Sequence, residues 1–192
     1  MEFDQVGITP EQKDYCFYPS QLKPLEFLSE SQVLQYNELG FTDPQNGFEE
    51  SEILAQRDYF DSLLSQLKAN PQKAERGFNA IQYSLNCAHI RLRGLWEIMY
   101  SEKILPPVRD IIGPNVIAWA THYFCKLPGD DQIVSWHQDA SYWGLSTAKT
   151  VTVWLAIDDA DEENAAMQFL PKSHLVGHIP WQETAEDSVL NQ

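Results

Sequence analysis

Between Val151 and Ile157 the chain alternates without a break. Val151, Val153, Leu155 and Ile157 fall on one side of an extended backbone, and Thr152, Trp154, Ala156 and Asp158 on the other. A helix would scatter these residues around its axis, so the stretch predicts a strand with one face against a core. Residues 116–126 are rich in β-branched and aromatic side chains and predict another strand. Residues 167–170 predict a short one, stopped by Pro171. Upstream the period changes to that of helices. Ser29 followed by Gln32 predicts a capping box, with Val33, Leu34, Tyr36 and Leu39 as the apolar stripe and Gly40 as the stop. Pro44 to Gly47 predict a turn. A longer helix is expected over 50–68, with Ile53, Leu54, Phe60, Leu63, Leu64 and Leu67 inward, then helices over 88–99 and 102–112, ended by Gly113-Pro114. Pro10, Pro19 and Pro24 keep 1–28 irregular. Helices first and strands second predict an α+β chain with helices packed outside an antiparallel sheet.

At 192 residues there is room for one domain, expected to divide into a mainly helical part (1–114) and a strand part (115–192). A hydrophobic share of 43% is enough for a core. The net charge of −15 argues against nucleic acid or an anionic membrane as partner, since both repel it. Cys16, Cys87 and Cys125 have neither disulfide nor metal-site spacing, which predicts reduced, buried thiols. The start has no basic, apolar leader, and no run reaches the roughly 18 apolar residues of a membrane span. A soluble, cytoplasmic protein is expected.

The chemistry concentrates in Trp136-His137-Gln138-Asp139. On extended backbone His137 and Asp139 point to the same side, so an imidazole and a carboxylate face one point. Together they make two thirds of a facial triad for non-haem Fe(II), which leaves positions open for a chelating co-substrate and O2. Alone, such a triplet also fits a strand-end pair facing solvent.

Its surroundings are more specific. Lys126-Leu127-Pro128-Gly129 precedes it and Tyr142-Trp143 follows. Then come Thr150 through Asp159, Glu163-Asn164, and Pro171-Lys172-Ser173-His174 with Gly177 three residues on. In this order the motifs resemble the phytanoyl-CoA dioxygenase family, whose members read K-x-P-G, W-H-Q-D-x-x-Y-W, V-T-V-W-L-A-I-D-D, E-N-G and P-G-S-H-x-x-G. The resemblance runs from about Ser29 to the last residue. It implies a double-stranded β-helix (a cupin-like jelly roll), Fe(II) as cofactor, and 2-oxoglutarate and O2 as co-substrates. It also implies His137 and Asp139 as catalytic metal ligands, Gln138 and His122 as 2-oxoglutarate contacts, and Tyr142 and Trp143 as substrate-binding walls. With Asp139 present, the implied reaction is hydroxylation of a C–H bond in a small organic substrate, not halogenation.

Plainer readings stand beside these. Tyr142 and Trp143 also fit core aromatics, His122 a hydrogen-bonded strand residue, and Lys126 a surface ion pair. His174 fits a loop anchor. The acidic run Asp158, Asp159, Asp161, Glu162, Glu163 fits a solvated turn better than a Ca²⁺ loop.

The chain also departs from the family pattern. A second histidine ligand is expected well beyond Asp139, followed roughly ten residues later by an arginine gripping the far carboxylate of 2-oxoglutarate. After Asp139 the only histidines are His174 and His178, and the last arginine is Arg109. The expectation is therefore a fragment lacking the last strands. Its alternative is a non-catalytic jelly-roll remnant acting as a binding module. Ala165 and Lys172 stand where the family has glycine, so a positive φ at either would be strained.

Overall fold

A computed structural model describes residues 13–69, 83–84, 88–126, 128–129, 133–141, 143–164 and 166–182. The expectations placed on 1–12, Cys87, Leu127, Tyr142, Ala165 and 183–192 lie outside them. Among the described residues are four helices: α1 (Glu30–Leu39), α2 (Glu50–Ala69), α3 (Arg93–Met99) and α4 (Leu105–Ile112). Two short strands, β1 (Tyr83–Ser84) and β2 (Tyr123–Phe124), pair antiparallel, with Tyr83 opposite Phe124 and Ser84 opposite Tyr123.

The helix ends follow local chemistry. Ser29 caps α1 through a reciprocal box: Gln32 N donates to Ser29 Oγ at 3.3 Å and Ser29 N to Gln32 Oε1 at 2.8 Å. Gly40 closes α1 at φ 91°, its N–H bonded to the Tyr36 carbonyl. A side chain there would also collide with His174, since a Cβ would stand 2.6 Å from the imidazole Nδ1. In α4, Pro106 falls in the first turn, where a missing N–H costs nothing, and the helix starts at Leu105 instead of 102. The helix expected over 88–99 is split into a 3₁₀ turn, Ala88–Ile90, and α3.

Leu28, Val33, Phe60, Leu63, Leu95 and Val108 form the buried apolar core, and all belong to the helical part of the chain. Leu54, expected inward, is exposed. One polar contact closes this part. Asp110 on α4 is only 2% exposed, and its carboxylate accepts the backbone N–H groups of Glu26, Phe27 and Leu28, each at 2.9 Å. Arg109 meanwhile grips both carboxylate oxygens of Glu26.

The strand expectations need correction. Of 116–126 only Tyr123–Phe124 joins a ladder, and neither 151–157 nor 167–170 is a regular strand. The described residues therefore form no double-stranded β-helix; their one sheet is the β1–β2 pair, against which Phe60 of α2 packs on Tyr123 at 4.8 Å. Alternation survives only in part as a burial pattern: Val151, Leu155 and Ile157 are half-buried and Thr152, Trp154, Ala156 and Asp158 face solvent, but Val153, expected inward, is exposed too. Alternating side chains can specify a face, but a strand also needs a neighbour for its N–H and C=O groups. None is present for these segments among the described residues. The expectation of buried thiols also fails for Cys16, which is exposed, while Cys125 is half-buried.

Lys172 adopts φ 66°, the left-handed region its family position reserves for glycine, while its N–H bonds the Leu39 carbonyl at 3.0 Å. Lys172→Gly should therefore stabilise the fold by about 1 kcal/mol. The exposed Lys172–Glu38 pair it gives up contributes little. A denaturation midpoint that falls in the glycine variant would contradict this.

Candidate functional site

His137 and Asp139 meet. The imidazole Nε2 stands 3.3 Å from Asp139 Oδ1, and the Nδ1 edge lies 2.7 Å from the Ser135 carbonyl. A carbonyl oxygen can only accept, so Nδ1 carries the hydrogen. In the neutral ring Nε2 then presents its lone pair towards Asp139. The backbone that achieves this differs from the expected strand. Asp139 opens a 3₁₀ turn, Asp139–Ser141, closed by Ser141 N–H donating to the Gln138 carbonyl at 2.9 Å.

Two lone-pair atoms 3.3 Å apart repel unless a proton or a cation lies between them. The protonated ring resolves this in one way: the hydrogen bond to Asp139 raises the pKa of His137, with the Ser135 carbonyl and the Asp139 charge adding to it and burial opposing. The resulting ion pair contributes stability that is complete below the unfolded imidazole pKa of about 6.5 and is lost as pH rises through the higher folded value. Asp139→Asn should lower the His137 pKa, measured by NMR titration of the ring. An unchanged or higher value would refute the pairing.

Gln138 turns the other way. Its Nε2 donates to the Gly177 carbonyl at 2.9 Å, and its Oε1 accepts the Ile179 N–H at 2.8 Å. The side-chain amide thus behaves like a strand neighbour for 177–179. Beside it, His178 Nε2 lies 3.1 Å from Ser141 Oγ, and its ring stacks on Tyr15 at 4.8 Å. His174 Nε2 donates to the Asn37 carbonyl, tying its turn to α1. His122 is exposed, yet partial desolvation lowers its pKa, and the charge of Asp139 pulls the other way. Trp143 is half-buried; Tyr142 lies outside the described residues.

Among the described residues no three His, Cys, Asp or Glu side chains converge as a metal cluster, so His137 and Asp139 stand as a pair. The acidic run is a turn held by its own side chains. Asp161 Oδ1 accepts the Glu163 and Asn164 N–H groups, and Asn164 Nδ2 donates to the Asp159 carbonyl. Lys13 was not anticipated from sequence: its ammonium reaches the carbonyls of Trp143 at 2.9 Å and Ala140 at 3.4 Å. Nothing local marks a contact between residues so far apart in the chain.

Comparison with known proteins turns this geometry into an identity at the level of family. Residues 36–191 match the family model described as Phytanoyl-CoA dioxygenase (PhyH). The chain belongs to this family. Similar curated proteins include the "Probable alpha-ketoglutarate-dependent hypophosphite dioxygenase" of Stutzerimonas stutzeri, 29% identical over 86 residues, or 45% of this chain and 30% of that protein. Another is "Phytanoyl-CoA dioxygenase domain-containing protein 1" of Danio rerio, 27% identical over 101 residues, or 52% of this chain and 34% of that protein. The match thus spans about a third of each relative's length. No solved structure matches the chain. Among the described residues of this phytanoyl-CoA dioxygenase family member, no helix is long and apolar enough to cross a membrane.

Proposed function

We propose that this chain carries two of the metal ligands of an Fe(II)- and 2-oxoglutarate-dependent oxygenase that hydroxylates a C–H bond of a small organic substrate. The observation that supports it most is the His137 Nε2 to Asp139 Oδ1 separation of 3.3 Å, with Nδ1 tied to Ser135. Adjacent ligands on an octahedral cation with bonds of about 2.1 Å stand about 3 Å apart, so the pair suits one ion. A backbone carbonyl on the far ring nitrogen is the usual way a ligating histidine is held in its tautomer. Family membership, and a relative named as α-ketoglutarate-dependent, favour this ion and this co-substrate over others.

In this reading, bound Fe(II) with 2-oxoglutarate and O2 supplies the oxidative decarboxylation to succinate and CO2 that drives hydroxylation. His137 binds only as the neutral ring, so metal affinity should rise with pH through its elevated pKa. Asp139 would offset part of the ion's charge, and the half-buried Trp143 would serve as an apolar wall. Gln138, with both amide atoms engaged by 177–179, would have to exchange those bonds to reach a co-substrate. A third donor and a cation for the far carboxylate are required as well. His174 and His178 are turned to Asn37 and Ser141, and no arginine follows Arg109. We therefore read the chain as part of a longer jelly-roll enzyme.

The absence of a three-ligand cluster among the described residues favours a second reading, a non-catalytic member of the family that binds a ligand or partner. Anaerobic titration with Mn(II) or Fe(II), followed by succinate release from 2-oxoglutarate, separates the two. Metal binding that is lost in His137→Ala supports the oxygenase. Indifference of wild type to both metals supports the binding module.

A further inference from the structure

Residues 13–17 lie ahead of the residues matched by the family model, which begin at 36, yet they contact segments that flank the His137–Asp139 pair. Asp14 forms a parallel bridge with Thr147: its N–H donates to the Ser146 carbonyl and its carbonyl accepts the Ala148 N–H, both at 2.8 Å. Tyr15 stacks on His178. Phe17 meets the His174 ring edge-on at 4.4 Å. Lys13 reaches over to the carbonyls of Ala140 and Trp143, immediately after the ligand Asp139.

A three-residue 3₁₀ turn cannot satisfy its own trailing carbonyls, and their negative ends favour a cation. Two neighbouring acceptors on one ammonium also fix the spacing between residues 140 and 143. We propose that Lys13 is a positioning residue: it clamps the turn that carries Asp139 and so holds the carboxylate where it faces His137. The bridge at Asp14 makes this possible, because it anchors the backbone from which the lysine extends and spares the long side chain part of its ordering cost. The aim of the carboxylate is thereby set by a strap some 125 residues away, outside the family-matched region. The inference rests on reading His137 and Asp139 as ligands, but the clamp itself has a signature that needs no metal.

The test compares Lys13→Met, which keeps the apolar stem and removes the donors, with Lys13→Arg, which restores them. Hydrogen exchange should be about tenfold faster at the Ser141 and Ala148 amides in the methionine variant, the size expected for one lost charge-assisted bond. It should return towards wild type in the arginine variant, with the Gly113 amide at the end of α4 unchanged in both. Mn(II) affinity, read by electron paramagnetic resonance, should fall about tenfold with methionine and recover with arginine. Unchanged Ser141 exchange in Lys13→Met overturns the clamp whether or not metal binds. Equally faster exchange at Gly113 makes Lys13 a general stability residue and also overturns it. Faster Ser141 exchange with undiminished Mn(II) affinity overturns the positioning role. Wild-type chain that ignores Mn(II) sinks the ligand assignment, while exchange still decides whether Lys13 holds the turn.

Discussion

Asp110→Ala should destabilise the fold by about 4 kcal/mol, the largest loss expected from any single substitution here. Charge-assisted hydrogen bonds contribute about 1.5–3 kcal/mol each, and truncation would leave three backbone N–H groups without their acceptor, that of Leu28 buried and those of Glu26 and Phe27 partly so. Those groups belong to residues 26–28, directly ahead of the Ser29 cap, so α1 would lose its entry as well as its tie to α4. For a chain of this size the melting midpoint should drop by about 10 °C. Asp110→Asn keeps one carbonyl oxygen able to accept twice, but turns an NH₂ towards a third N–H, and should fall between the two. Thermal melts of the three proteins measure this. An alanine variant within 1 °C of wild type would show that water replaces the carboxylate freely.

His137→Ala and Asp139→Ala should each weaken Mn(II) or Fe(II) binding by about 100-fold or more, because each removes a donor from a pair that has no third member among the described residues. The effect should be confined to binding. Asp139 is half exposed and the His137–Asp139 pair contributes modestly to stability, so melting should shift little. Gln138→Ala gives the contrast: it frees 177–179 from two hydrogen bonds but removes no metal donor, so affinity should change by a few-fold at most. Calorimetric titration of the four proteins distinguishes these outcomes. Equal affinity in wild type and His137→Ala would remove the basis for the oxygenase reading.

What could be read from sequence was what depends on near neighbours. The Ser29–Gln32 box, the Gly40 stop and the strained Lys172 are one- to three-residue problems, and each is found where its chemistry puts it. The His137–Asp139 pair was legible for the same reason, since two side chains on either side of one residue can meet in a tight turn as well as on a strand. The strands were not legible in this sense. Val151–Ile157 has a strand's alternation, but a strand also depends on partners elsewhere in the chain, and the described residues provide none. Asp110 and Lys13 were invisible because what they bond is backbone, more than 80 residues away in each case, and backbone carries no sequence signal.

The grip of Lys13 on the Trp143 carbonyl has a practical optical consequence. Of the six tryptophans, Trp96, Trp119, Trp136, Trp154 and Trp181 are about half exposed or more, so their emission should shift less on unfolding than that of a more buried indole. Trp143 is less exposed than these five, and its backbone is pinned four residues beyond Asp139. A chain retaining this indole alone would turn emission colour into a direct gauge of how tightly the loop behind the carboxylate is held.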